Sequence, residues 1–387
     1  VSEPARVAEP AAPAPSGAAG PPKRRVERPV RLLVVGAVLV VLLVAPFYVE
    51  EFWLRTGFAI CGAVVGALGL NLLVGTAGQL SLAHSFFLAV GAISYTFVAD
   101  DPSGVRADEL SGLGWPPLFG LVVGVVLAGV AGLAFSPIAA RLRGIYLGVA
   151  SLALVFIGQH VLNSWTSVTG GFNGRSVPEF TLFGFQFADT PALTLLGVPF
   201  RESERLWYLG LALALVSYLF ARNLLRSRPG LALRTLRDSE VAASVMGVDV
   251  QRYKAGVFLV SSAYGGLAGV IYALSIGSVA PESFGLFVSI QYLAMIVLGG
   301  LGSLGGAIAG AVFVAALPLV LQRYADALPL VTDAGGGGLA AGEAARYLYG
   351  LAIVLVVLFH PTGLAGLARR FRRRTPSTDP ATPRGHR

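Results

Sequence analysis

The chain has 387 residues, 55% of them hydrophobic and only 13% charged, with a formal net charge of +8 and a mean hydropathy of +0.72. A soluble domain usually carries about a quarter charged residues, and its core stops growing beyond roughly 250–300 residues; the composition therefore argues against an ordinary soluble enzyme and for a chain partly dissolved in lipid. A disordered chain, a collagen (49 glycines without a three-residue period) and a disulfide scaffold (Cys61 is the only cysteine) are excluded.

Residues 1–29 are rich in Pro and Ala and end in Lys23, Arg24, Arg25 and Arg28, which reads as a disordered tail leading to a basic anchor. The apolar run 30–49 is too long for a signal-peptide core and no small-residue cleavage site follows it, so an uncleaved first span is expected. Further spans are expected at 57–74, 80–99, 118–140, 144–163 and 206–222, and after a polar stretch at 255–277, 286–300, 303–322 and 346–360. The expected fold is all-α, a polytopic transmembrane helix bundle of about ten spans. Its membrane domain covers 30–368, between the tail 1–29 and an Arg-rich tail at 369–387.

The charges test that count. With the N-terminus in the cytoplasm, 22 of the 29 Lys and Arg fall on the cytoplasmic side (1–31, 141–143, 222–254, 369–387) and 7 on the other. The positive-inside rule asks for this asymmetry across short loops. An even count also returns Arg369, Arg370, Arg372, Arg373 and Arg374 to the cytoplasm, so both termini are expected there. The basic clusters flank spans and lack interleaved aromatics, so they read as contacts with anionic lipid rather than nucleic acid.

Several chemistries are missing. Lys23 and Lys254 are the only lysines and neither closes a GxxxxGKS/T phosphate loop, so ATP, if used, must be bound by another chain. His84, His160, His360 and His386 lack metal-ligand spacing, and no metal site is expected. The 21 carboxylates fall in loops, tails or span ends, which weighs against an ion-coupled carrier. Neutral polar residues remain inside the spans: Asn71, Gln79, Ser81, His84, Gln159, His160, Asn163 and Gln291. They read either as interhelical glue, worth about 0.6 kcal/mol each, or as the lining of a path for a small, polar, net-neutral solute.

Two charge-free breaks interrupt apolar runs. One is Gly75-Thr76-Ala77-Gly78, and the other, LGGLGSLGG at 298–306, contains Gly299, Gly300 and Gly302. Such breaks suit backbone that turns inside the membrane under protein cover or beside water, offering helix ends to a zwitterion or amide. Close helix packing is the alternative use of the glycines. In the loop 223–254, the stretch 230–247 is expected as one amphipathic helix with Leu233, Leu236, Ala243 and Met246 on a single arc. Glu240 shares that arc, Gly247 is placed to cap the helix and Asp249 to start the next. The arc could meet lipid, the bundle, or a partner protein.

Together these stretches resemble the permease subunits of branched-chain amino acid ABC importers, of the type with a long external loop. The resemblance rests on NLLVGTAGQLSLAHSFF (71–87), RLRGIYLGVASLAL (141–154), TSVTGGFNG (166–174), PGLALRTLRDSEVAASVMGVDVQRYK (229–254) and VLGGLGSLGGAIAGA (297–311). It implies that Glu240, Ala242, Ala243 and Gly247 belong to a coupling helix that docks on an ATPase. It places Thr169, Gly170, Gly171, Asn173 and Gly174 in an external loop at 164–205. The residues themselves, polar and neutral within the spans and at the first break, read as a solute path at Gly78, Gln79, Ser81, His84, Asn163 and Gln291. The implied partners are a homologous second permease, two ATP-binding subunits and an external solute-binding protein, all at the cell membrane. No catalysis and no cofactor are implied for this chain. Ala83 stands where the family has Gly, and Phe172 where Pro is common. The implied activity is ATP-driven import of Leu, Ile or Val by alternating access. Relatives that carry urea or short amides share these stretches, and a stand-alone carrier or channel, or a scaffold subunit, are the rivals from other classes.

Overall fold

Twenty-residue apolar runs in a chain with 49 glycines fold as long helices that can approach backbone to backbone. The structure, a computed structural model, describes residues 27–102, 111–187, 193–195, 198–324, 331–332, 339–340 and scattered positions between 343 and 366. The expected tails, except residues 27–29 at the start of α1, and most of the span at 346–360 lie outside the described residues. Helix α1 (Glu27–Val44) runs into a 3-10 turn at Ala45–Phe47, where Pro46 contributes no N–H, and belongs to a separate unit ending at Tyr48.

The second unit holds α2 (Glu51–Leu70), α3 (His84–Ala99), α4 (Pro117–Arg141), α5 (Ile145–Ser164), the short α6 (Thr166–Thr169) and α7 (Glu202–Arg226). It continues with α8 (Arg228–Asp238), α9 (Glu240–Val245), α10 (Val250–Ile276), α11 (Leu286–Gly299) and α12 (Leu304–Arg323). The starts follow local chemistry. Pro117 opens α4, where a missing N–H costs nothing, and the side chains of Ser239, Asp249 and Ser303 accept backbone N–H groups at the starts of α9, α10 and α12. Gly277, at φ +77°, ends α10 in the left-handed conformation.

Seven helices among the described residues are long and apolar enough to cross a membrane, and two apolar stretches, Gly36–Phe47 and His84–Ala99, are shorter. The helical, membrane-spanning character expected of the chain is thus matched among the described residues. The clearest departure is the third expected span: 80–99 reads as continuous, yet helix begins only at His84. The second is the stretch 230–247, which forms two helices and not one, because Ser239 adopts an extended backbone (φ −161°, ψ 118°) between α8 and α9.

Helices α2 and α10 form the buried centre, while α4, α5 and α12 turn apolar faces outward. A Cβ added at Gly91 of α3 would strike the Gly266 main chain of α10, and one added at Gly124 of α4 would strike the Gly91 main chain. In lipid such contacts, more than the hydrophobic effect, hold helices together.

The segment after α5 caps one end of this bundle. It contains a 3-10 turn at Gly171–Asn173 and strand β1 (Arg175–Ser176). A hairpin of β2 (Thr181–Leu182) and β3 (Phe185–Gln186) follows, then the pair β4 (Leu193–Leu195) and β5 (Val198–Phe200). β1 pairs antiparallel with β6 (Ser278–Val279), just past α10, which ties this segment to the helix ends.

Candidate functional site

The first break is longer than the sequence implies, and it is buried. At Asn71 the α2 helix widens into a π-helix (Asn71–Thr76), a form common at functional positions. The chain leaves it at Gly78 (φ +70°) and stays non-helical to Ala83, although Ala77, Gln79, Ser81 and Ala83 are all buried. Buried backbone must find partners. Leu82 N–H donates to Ser151 Oγ of α5 at 2.8 Å, and Ala83 N–H to Ser81 Oγ at 3.3 Å. Gln79 N–H reaches Leu73 O at 3.1 Å, and Ser85 N–H donates to Ser289 Oγ of α11 at 2.9 Å.

The second break meets the first. α11 stops at Gly299, Gly300 (φ +108°) and Gly302 (φ +78°) turn the chain, and Ser303 starts α12. Gly302 N–H donates to Asn71 Oδ1 at 2.9 Å, and a Cβ on Gly302 would lie 3.0 Å from Gly75 O. Arg237, at the end of α8, donates to the Gly75 carbonyl while its stem lies against Gly78. The two uses considered for the glycines coexist: they turn the backbone and let the two breaks touch.

The α8–α9 pair departs from the expected arc. Leu233, Leu236 and Ala243 are buried, but Met246 is 69% exposed. Glu240 is met within this chain: its carboxylate lies 2.7 Å from Lys254 Nζ and 3.0 Å from Arg143 Nη2, and Lys254 is fully buried. Glu240 on the arc therefore needs no partner protein to receive it. The face left open is apolar instead, formed by Val241, Val245 and Met246. Ala242 is half-buried, and Gly247 (φ +80°) caps the helix as expected.

At the opposite end of α3, the 166–174 segment is held in shape by identifiable contacts. Gly170, Gly171 and Gly174 all have positive φ, and the buried Thr169 hydroxyl donates to Leu162 O at 2.8 Å and accepts from Gly171 N–H. Asn173 closes the 3-10 turn and Phe172 points outward. Arg175 follows, buried, and grips Asp100 Oδ2 (2.9 Å), Val168 O (2.8 Å) and Ser111 O (2.7 Å). Sequence reasoning missed Arg175, Arg237 and Lys254, whose partners are 75, 162 and 14 residues away.

The residues expected along a path are split by position. Gly78, Gln79 and Ser81 lie in the first break, with Gly78 against the Arg237 stem. His84 starts α3 just after that break, its ring 4.9 Å from the Tyr292 ring. Gln291 lies in a cavity of about 390 Å3 between α2, α10, α11 and α12, with Arg55 and Thr56 also on its wall. Asn163 lies apart from both, at the 166–174 end of α5, with a buried Oδ1 that has no hydrogen bond among the described residues. No group of three metal-ligating side chains exists among the described residues.

Apolar spanning helices, buried broken backbone and a largely apolar cavity with a few polar groups on its wall define a multi-pass membrane protein of the transport class. A family model described as "Branched-chain amino acid transport system / permease component" matches residues 54–357, and the chain belongs to that family. The permease protein LivM of the high-affinity branched-chain amino acid transport system of Escherichia coli (strain K12) is 32% identical over 347 residues, covering 86% of this chain and 74% of its own. The LivM protein of Salmonella typhimurium is 33% identical with the same coverage. The LivH permease protein of Escherichia coli (strain K12) is 24% identical, over 78% of this chain and 90% of its own length. No solved structure matches the chain.

Proposed function

We propose that this chain is a transmembrane permease subunit of an ABC importer that carries branched-chain amino acids into the cell by ATP-driven alternating access. The observation that carries the reading is the junction of Arg237, Gly75, Asn71 and Gly302. It links a charged loop between spans to two backbone breaks inside the bundle. A push on α8 and α9 would thus reach the breaks directly.

In this reading nine described helices and the stretch at 346–360 give ten spans, with both termini and α8–α9 in the cytoplasm and the 164–205 loop outside. The 22-to-7 division of basic residues supports that orientation. Two ATP-binding subunits sit beneath, and the exposed Val241, Val245 and Met246 dock on one of them; Glu240, Ala243 and Gly247 shape and hold that helix. A homologous second permease completes the pore, and an external binding protein delivers the solute over the Thr169–Gly174 surface. The chain performs no catalysis and needs no cofactor. The path runs past Gln291, His84, Ser81, Gln79 and Gly78. Transport of branched-chain amino acids by the LivM proteins, as their names state, supports the substrate, and the largely apolar cavity favours an aliphatic solute over urea.

Proteoliposomes holding this chain with its co-purifying partners test the reading. ATP-dependent leucine uptake, absent without the ATP-binding subunits, is expected. Leucine uptake by the chain alone would make it a stand-alone carrier, and uptake of urea but not leucine would change the substrate.

A further inference from the structure

We propose that the cavity beside Gln291 is a reception site for a single aliphatic amino acid zwitterion, with the carboxylate on Arg55 and the alkyl side chain inside. This rests on the reading that the chain carries branched-chain amino acids. At about 390 Å3 the cavity stands at the small end of ligand sites, which span ~300–1,000 Å3. Its deep wall is apolar, built from Ala59, Ala63, Phe284, Val288 and Met295, and the two alanines leave room where a branched side chain would lie.

The polar groups are few and converge. Among the described residues, the Gln291 amide and the buried Thr56 hydroxyl make no side-chain hydrogen bond, so both remain available to a ligand. Arg55 is the one guanidinium on the wall, and its planar fork suits a carboxylate. Acidic groups stand beside it: Glu51 lies 2.9 Å from Arg55, and Glu202 lines an adjoining cavity of about 200 Å3 that shares Arg55 and Ser275. Positive and negative charge at the rim with an apolar interior is the complement of an aliphatic zwitterion, and offers little to urea.

The placement fits a waiting position. The lining comes from the end of α10 and the starts of α2 and α11, the end of the bundle opposite the junction. Tyr292 lines the cavity and its ring meets that of His84, the first residue of α3 after the first break.

The test is binding of radiolabelled L-leucine and urea to the assembled complex in nanodiscs, with ATP-driven leucine uptake measured on the same preparation. Leucine should bind and urea should not. Arg55→Gln should raise the leucine Kd at least tenfold, and Ala59→Phe, which fills the cavity from a half-buried position, should abolish binding with the complex intact by gel filtration. Competition by 4-methylpentanoate should weaken in Arg55→Gln, whereas isopentylamine should compete equally in both. If leucine is imported while both variants keep the wild-type Kd, the site is overturned and the transport reading stands. If leucine is neither bound nor imported, the transport reading fails and the site with it.

Discussion

The Arg237 guanidinium donates a hydrogen bond to the backbone carbonyl of Gly75. That carbonyl lies at the end of a helix, where acceptors have no intrahelical partner, and a bond from a charged donor is worth about 1.5–3 kcal/mol. Because Arg237 belongs to α8 and Gly75 to the end of the α2 π-helix, the loop cannot shift without either carrying the break along or losing this bond. Gly302 lies beside both and ties in the second break through Asn71.

Glycine at 302 is required for two reasons, a φ of +78° and a Cβ position 3.0 Å from Gly75 O. Left-handed backbone costs a residue with a Cβ about 1–2 kcal/mol. Gly302→Ala should destabilise the protein by about that amount in a denaturation series in detergent. Gly305→Ala, where the added methyl meets nothing within 4 Å in helix α12, should be neutral or slightly stabilising. Equal effects would show that the close approach of the breaks does not matter.

The ion pair under α9 makes a second test. Lys254 is fully buried and Glu240 is its carboxylate at 2.7 Å. Removing one partner of a buried pair leaves an uncompensated charge and costs ~3–5 kcal/mol, whereas replacing both with apolar groups can be near neutral. Glu240→Leu alone should therefore be strongly destabilising, and Glu240→Leu with Lys254→Met should recover most of the loss in a double-mutant cycle. Additive effects would contradict the pairing.

Much of this architecture is legible in the sequence, because an apolar run of about 20 residues has few other destinies. The start of α3 is not. Leu80, Ser81, Leu82 and Ala83 are as apolar as a helix, and only Ser151, nearly 70 residues on, reveals where the Leu82 N–H goes. The amphipathic loop is half legible: Leu233, Leu236 and Ala243 face inward as their spacing implies, but the cap at Ser239 rotates α9, so Met246 emerges and Glu240 turns to Lys254. Both glycine breaks can be located from composition. That they touch depends on helix packing over more than 200 residues of separation, which no local pattern encodes.

The face that α9 leaves open should be where an ATP-binding subunit docks. Val245 is 82% exposed, with Val241 and Met246 beside it. An Asp there costs little in the free chain, since surface substitutions usually stay within about 0.5 kcal/mol, but it places a charge in an apolar contact. Val245→Asp should keep its thermal unfolding midpoint and lose the co-purifying ATPase at least tenfold. Undiminished co-purification would move the docking face elsewhere.

The central claim is that Arg237 transmits the ATPase cycle to the breaks. Its most direct test is the number of leucine molecules imported per ATP hydrolysed by the reconstituted complex, wild type against Arg237→Gln. The account predicts that the variant assembles and hydrolyses ATP at a rate within about twofold of wild type, while leucine imported per ATP falls at least tenfold, a coupling loss of about 1.4 kcal/mol or more. An unchanged ratio in a correctly assembled Arg237→Gln complex would contradict it.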